Sequence, residues 1–262
     1  MIRGIDHLVI ACTDPDAAAG ALESQVGLIA GGGGRHAGRG TSNRIVWLAD
    51  GSYLELIGIE DPDLARQSPV GAAALRALDE HGGGLATYAV RADDLETTVT
   101  SLQANGSSIR PSIPGSRTRD DGELVEWWTA FPAADLGPAE VPFLIQHAAT
   151  GAEWGPSALA ERATFSHPIG SPVVLARLDV AAEDPPSAAA RLHAELGIDV
   201  WAVADLAVAE IGSHVLRMVP LREMATPAVV TLAADVETPR TVEALNLRFD
   251  VERAAVPVTE GR

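Results

Sequence analysis

Ile5-Asp6-His7-Leu8-Val9-Ile10-Ala11-Cys12, followed by Thr13-Asp14-Pro15-Asp16, is the stretch whose reading decides the architecture. The first eight residues read as a strand. Asp14 then offers a carboxylate to cap a helix, and Pro15 suits that helix's first turn. Ala18, Leu22 and Val26 follow at i, i+4 and i+8, one face for packing on a sheet, and Gly27 supplies the stop.

The same grammar returns twice. Leu85 to Arg91 leads to Asp94, then to a helix with Leu95, Val99 and Leu102 inward and Gly106 at its end. Val173 to Ala181 leads to Asp184-Pro185, then to Ala188, Leu192 and Leu196, with Gly197 closing. The intervals from Asp14 to Gly27, Asp94 to Gly106 and Asp184 to Gly197 are nearly equal, which makes duplication the economical explanation. Short β-rich runs follow each helix. They cover 27–30, 43–49 and 52–59 in the first copy, with Asp50-Gly51 as a hairpin turn, then 123–131 and 141–147, then 200–204 and 214–219. Each copy reads βαβββ, so the fold class is α+β, with repeated modules curling mixed sheets around a cavity. Residues 1–148 form one domain of two modules, about 1–60 and 84–148, with a linker helix over 72–78 between them. Residues 149–169 read as a linker, and 170–262 as a third module followed by an eroded fourth.

Bulk composition narrows the function. A chain of 262 residues can bury its own core without disulfides or a structural metal, and 47% hydrophobic with 21% charged residues is a globular mixture. Nineteen Lys and Arg against 36 Asp and Glu give a net charge of −17, which repels nucleic-acid phosphates and anionic lipids. Cys12, the only cysteine, excludes an internal disulfide and any cysteine-based zinc cage, and its apolar run places it in the core. No leader pattern opens the chain and no apolar run has the length of a membrane span, so the expectation is a cytoplasmic protein. The expected partner is a small molecule, with no nucleic acid and no membrane, and a homodimer is compatible with the third module.

Strand alternation places His7 on the face of Ile5 and Val9, and Glu55 on the face of Tyr53 and Ile57. Either residue alone reads more readily as a hydrogen-bonded structural group or an edge position. Together they occupy the first and last strands of one module and converge if the sheet curls, and an imidazole nitrogen with a carboxylate oxygen suits a divalent metal. His36 and Asn43 flank a glycine-rich loop whose backbone can approach a ligand closely. Arg117 and Arg119 precede the Asp121-Gly122 turn and Trp127-Trp128 follows it, a carboxylate clamp beside an aromatic wall, with only one of the tryptophans facing inward. Other motifs fail. His81-Gly82-Gly83-Gly84 has no Gly-x-Ser-x-Gly nucleophile elbow to serve, and glycines 31–34 lack the lysine and helix of a phosphate loop.

The repeat, with Ile5-Asp6-His7-Leu8-Val9 at its start and Tyr53-Leu54-Glu55-Leu56 at its end, resembles the glyoxalase/bleomycin-resistance superfamily, the vicinal oxygen chelate proteins. The run from Gly33 to Asn43 and Pro142-Phe143-Leu144-Ile145-Gln146-His147 resemble its glyoxalase-like subgroup. The resemblance covers residues 1–148 well and the rest weakly. It implies paired modules with ligands to one divalent metal (Zn, Mn, Ni or Fe) on each module's outer strands, and no nucleotide cofactor. His7 and Glu55 match the first pair; Thr87 and Gln146 stand for the second, a degraded pair, and Arg177 with Leu216 in the third copy have no metal role. The resemblance further implies isomerase, lyase or dioxygenase chemistry on a small carbonyl or vicinal-dioxygen compound. Glu55 would act as base or ligand and His7 as ligand or acid–base partner, with His36, Asn43, Arg119, Trp127 and Gln146 contacting the substrate. The alternative is a protein of the same fold that binds and sequesters a small molecule.

Overall fold

Strand β1 (Ile2–Ala11) runs to Asp14, whose Oδ1 accepts from the N–H groups of Asp16 and Ala17 and starts helix α1 (Pro15–Ala21). The helix widens into a π turn over Leu22–Val26 and stops at Gly27, whose left-handed backbone (φ 85°) ends it. Strands β2 (Gly32–His36), β3 (Thr41–Trp47) and β4 (Tyr53–Ile59) follow, and β4 returns parallel to β1 with Glu55 opposite Val9. The expected linker helix is longer than its pattern: a short helix α2 (Pro62–Ala65) precedes α3 (Pro69–His81), which Ser68 caps. The second copy then repeats the layout with β5 (Gly84–Ala92), α4 (Leu95–Ala104), β6 (Ile113–Thr118), β7 (Leu124–Ala130) and β8 (Phe143–His147). Strand β6 has no β signature in sequence, because Pro114 and Gly115 interrupt it.

In this computed structural model, which describes residues 1–36 and 38–254, the two copies close into an eight-stranded barrel in the order β1-β4-β3-β2-β6-β7-β8-β5. Two seams join them. β1 pairs antiparallel with β5 along most of its length, whereas β2 meets β6 through Arg35 opposite Thr118. The glycines expected to form a ligand loop build that second seam. A Cβ on Gly34 (φ 152°) would lie 2.2 Å from the Thr118 carbonyl oxygen, and one on Gly33 (φ 151°) 2.4 Å from that of Asn43. The run is therefore largely strand, and its glycines are what allow the backbones to approach and the barrel to close.

The stretch expected to be a linker carries two helices, α5 (Gly151–Trp154) and α6 (Pro156–Ala163). Beyond it, β9 (Val173–Ala182), α7 (Pro185–Leu196), β10 (Val200–Val203), β11 (Leu206–Ile211) and β12 (His214–Pro220) form the third βαβββ copy. A reduced copy follows, with β13 (Ala228–Ala234), β14 (Arg240–Ala244) and β15 (Leu247–Arg253). There β13 pairs parallel with β15 as β9 does with β12, but no helix intervenes and one strand is missing. These strands make an open sheet, β10-β11-β12-β9-β13-β15-β14. A single apolar core joins the outer face of the barrel (Leu8, Ile10, Leu54, Tyr88) to that sheet (Leu178, Val230, Phe249), so the third copy buttresses the first two. Cys12 lies buried, and burial pushes its thiol up to about 12, so it is inert packing. Among the described residues no helix is long and apolar enough to cross a membrane.

Candidate active site

The site begins with an irregularity in β1. Ile5 lies opposite Val90 and His7 opposite Ala89, so Asp6 is an extra residue, a β-bulge. The bulge breaks the alternation expected from sequence. Ile5 joins Leu8 and Ile10 in the outer core, while His7 turns into the barrel and Val9 into the inner cluster. The displaced backbone is satisfied from the C-terminal sheet, because the Ile5 N–H donates to His214 Nδ1 at 2.9 Å.

Asp6 itself is fully buried and holds two imidazoles. Its Oδ1 lies 2.8 Å from His7 Nδ1 and 3.0 Å from His147 Nε2, and Arg91 Nε is 3.4 Å from Oδ2. Burial alone would raise this carboxyl, but the interactions with His147 and then His7 outweigh it and hold Asp6 well below the usual carboxylate range. An ionised carboxylate only accepts, so His7 carries its proton on Nδ1 and turns Nε2 toward the interior.

The barrel interior holds a cavity walled by Trp47, Tyr53, Trp127, Phe131, Phe143 and Trp154 and rimmed by the partly exposed Arg39, Ser68 and Val70. Glu55 stands inside it. Asn43 Nδ2 donates to Glu55 Oε1 at 2.7 Å, and Glu55 Oε2 lies 3.6 Å from His7 Nε2. His36 Nε2 is 3.5 Å from Glu55 Oε1, and His36 Nδ1 is 2.8 Å from Thr41 Oγ1. Burial lowers the His36 ring to about 4, against the pull of Glu55 and with the help of Arg117 and Arg39, so it is a neutral imidazole at neutral pH.

One end of the cavity is shut by the segment expected to be a linker. Glu153 on α5 is buried, accepting from Arg117 Nη2 at 2.5 Å and from Arg119 Nη1 at 3.1 Å. Trp154 stacks on His147 with ring centroids 3.4 Å apart, and the Arg162 guanidinium of α6 lies 3.3 Å over the Trp47 ring and 4.2 Å over that of Trp154.

His7, Glu55, His36, Asn43 and Trp127 thus all line one cavity, drawn from five strands. Gln146 and Arg119 do not. Alternation along β8 turns Phe143, Ile145 and His147 inward and Gln146 outward, where its Oε1 accepts from the Leu95 N–H and caps α4. Arg119 lies outside with Asp121 and Glu153, and Arg117 is the arginine that faces in. Trp128 is exposed. Asp6, Arg39, His147, Glu153 and Trp154 carry no signal in the sequence reading, except that His147 shares the parity of Phe143 and Ile145.

The donor set does not complete a protein-held metal site. Register pairs Val9 with Glu55 in the first copy and Ala89 with Phe143 in the second, so a phenyl ring occupies the place that mirrors Glu55, and Thr87 the place of His7. The second-copy donor assigned to Gln146 is therefore absent. Among the described residues no group of three His, Cys, Asp or Glu side chains has the arrangement to hold a metal ion.

Comparison with known proteins agrees with this architecture. A family model described as a glyoxalase-like domain matches residues 5–196. No curated protein matches the chain. Among solved structures, a hypothetical protein from Staphylococcus aureus superposes with a TM-score of 0.78 at 13% identity, covering 97% of this chain and 100% of its own. A mutant of 4-hydroxymandelate synthase from Streptomyces coelicolor superposes at 0.53 and 14% identity, covering 90% of this chain and 72% of its own. A methylmalonyl-CoA epimerase variant from Streptomyces coelicolor reaches 0.41 at 20% identity over 55% of this chain and 97% of its own. At such identities the first two show a shared fold alone.

Proposed function

The chain belongs to the glyoxalase-like domain family, and we propose that it is an enzyme that moves a proton on a small carbonyl compound held inside its barrel. The observation that carries this reading is the arrangement of Glu55, with one oxygen fixed by Asn43 and the other turned to His7 Nε2 among aromatic walls. A carboxylate held this way is a general base positioned against a bound C–H. Glu55 Oε2 would take the proton from the carbon beside the carbonyl. His7 Nε2 is the adjacent acceptor, and the Asp6 carboxylate behind His7 stabilises the imidazolium that forms, as a buried carboxylate does for a catalytic histidine. Neutral His36 and the Asn43 amide lie where they can hydrogen-bond to the substrate. Return of the proton to a neighbouring atom completes an isomerisation, and its loss with a leaving group completes an elimination.

No step in this reading passes through a metal, in keeping with Thr87 and Phe143 at the mirrored positions. The same degraded half favours a second reading, a protein that binds such a compound without turning it over. One experiment separates them. Protein treated with a chelator is incubated in D₂O with a panel of small 2-oxo and 2-hydroxy compounds, and loss of the carbon-bound proton signal is followed by NMR. Exchange that Glu55→Gln abolishes supports the enzyme; binding without exchange in the wild type supports sequestration.

A further inference from the structure

Two arginines, Arg39 and Arg117, line the cavity, and Arg117 is already neutralised, as is Arg119 outside it. Arg117 is buried between Glu153 and the Gly33 carbonyl, and Arg119 lies between Glu153 and Asp121. Arg39 differs. Among the described residues it has no carboxylate within ion-pair distance, and its recorded hydrogen bond runs from Nη2 to the Pro114 carbonyl at 3.2 Å. A guanidinium presents five N–H donors in a fixed fork, and Arg39, which lines the cavity and is partly exposed, uses few of them on protein acceptors among the described residues. Its position is built. A Cβ on Gly115 would meet Arg39 Nη2 at 3.0 Å and the Trp127 indole nitrogen at 2.4 Å, so glycine is what lets the cation and the indole lie together over β6.

Deeper in the same cavity are two further groups without partners. Asn43 Oδ1 and Thr129 Oγ1 are buried, line the cavity and have no hydrogen-bond partner among the described residues. Buried polar atoms left this way await polar atoms of a ligand or of solvent. The same cavity carries the flat rings of Trp127, Phe131 and Phe143. We propose that the ligand is a carboxylic acid with a flat apolar body, its carboxylate paired with Arg39 and its body among these rings. Taking the cavity as the site, this rests on the reading above. A planar fork matches a carboxylate in bidentate fashion, and a partly buried cation with no carboxylate within ion-pair distance has donors left for one.

The test is equilibrium binding, which is independent of turnover. The probes are 3-phenyllactate and its primary amide, titrated calorimetrically into wild type, Arg39→Gln and Glu55→Gln. Wild type should bind the acid about tenfold or more tightly than the amide, the scale of one charge-assisted contact. Arg39→Gln should erase that preference while leaving the amide's affinity unchanged, and Arg39→Lys should restore part of it. Glu55→Gln should keep the preference, so failure of the proton-transfer reading would leave this result standing. Equal affinity of wild type for acid and amide, a preference that survives in a folded Arg39→Gln, or no binding of 3-phenyllactate at millimolar concentration would overturn the proposal.

Discussion

Replacing Asp6 by Asn tests how the site is held together. The carboxylate is wholly buried, accepts from His7 and His147 through one oxygen at 2.8 and 3.0 Å, and faces Arg91 at 3.4 Å through the other. Asn keeps one acceptor but loses the charge and points an N–H₂ at the Arg91 donor. Breaking a buried ionic cluster by removing one partner costs about 3–5 kcal/mol, and the retained acceptor puts this change near the lower end, about 3 kcal/mol. In a chain of this length that is a fall in Tm of about 6–12 °C. The sign in pH follows from the depressed carboxyl. Its contribution is fully present above the unfolded-state value and is lost as pH falls through the lower folded value, so the gap between wild type and variant should stay constant from pH 6 to 8 and narrow only in strong acid. Urea unfolding gives the stability, and nitrogen-15 NMR of the imidazoles gives the tautomers, which should be Nδ1–H at His7 in the wild type and mixed in the variant. A loss below about 1 kcal/mol with both tautomers unchanged would refute the reasoning.

Other outcomes follow from the same geometry. His36 is held at about 4 against 6.5 unfolded, so it withdraws up to about 3 kcal/mol as pH falls from 6.5 toward 4 and nothing above that window; His36→Gln should flatten this part of the urea-midpoint profile. Glu153→Gln leaves the Arg117 charge buried without its counter-ion, an expected loss of about 3–5 kcal/mol by urea unfolding, whereas a change near zero would remove Glu153 from any role in closing the barrel. Gly34→Ala drives a Cβ into the Thr118 carbonyl at the β2–β6 seam, so hydrogen exchange should show both strands opening. His214→Leu leaves the Ile5 N–H at the bulge without its acceptor, an expected loss of about 1–3 kcal/mol together with shifts in the NMR signals of His7.

The repeat was legible because helix caps and stops are local. Asp14, Asp94 and Asp184 each accept from the backbone N–H groups their spacing implies, and all three helices follow them. Five proposed contact residues also share one cavity, since inward-facing positions in a closed barrel converge. What sequence hid is non-local or breaks a period. The bulge at Asp6 makes a residue that alternation sends away from His7 into its partner. Gln146 faces away from the cavity and His147 into it, in parity with Phe143 and Ile145. The glycine run reads as a flexible loop until the Thr118 carbonyl opposite Gly34 is known. Glu153, Trp154 and Arg162 sit in two short helices with no repeat partner, so nothing local ties them to a barrel they close.

The central claim is that chemistry occurs in the barrel at Glu55. A crystal structure of Glu55→Gln soaked with 3-phenyllactate tests it most directly. The acid is expected inside the barrel, its carboxylate on Arg39 and its hydroxyl-bearing carbon facing residue 55. Ligand density confined to the cleft between Cys12, Gly83 and Asn246, with the barrel empty, would contradict it.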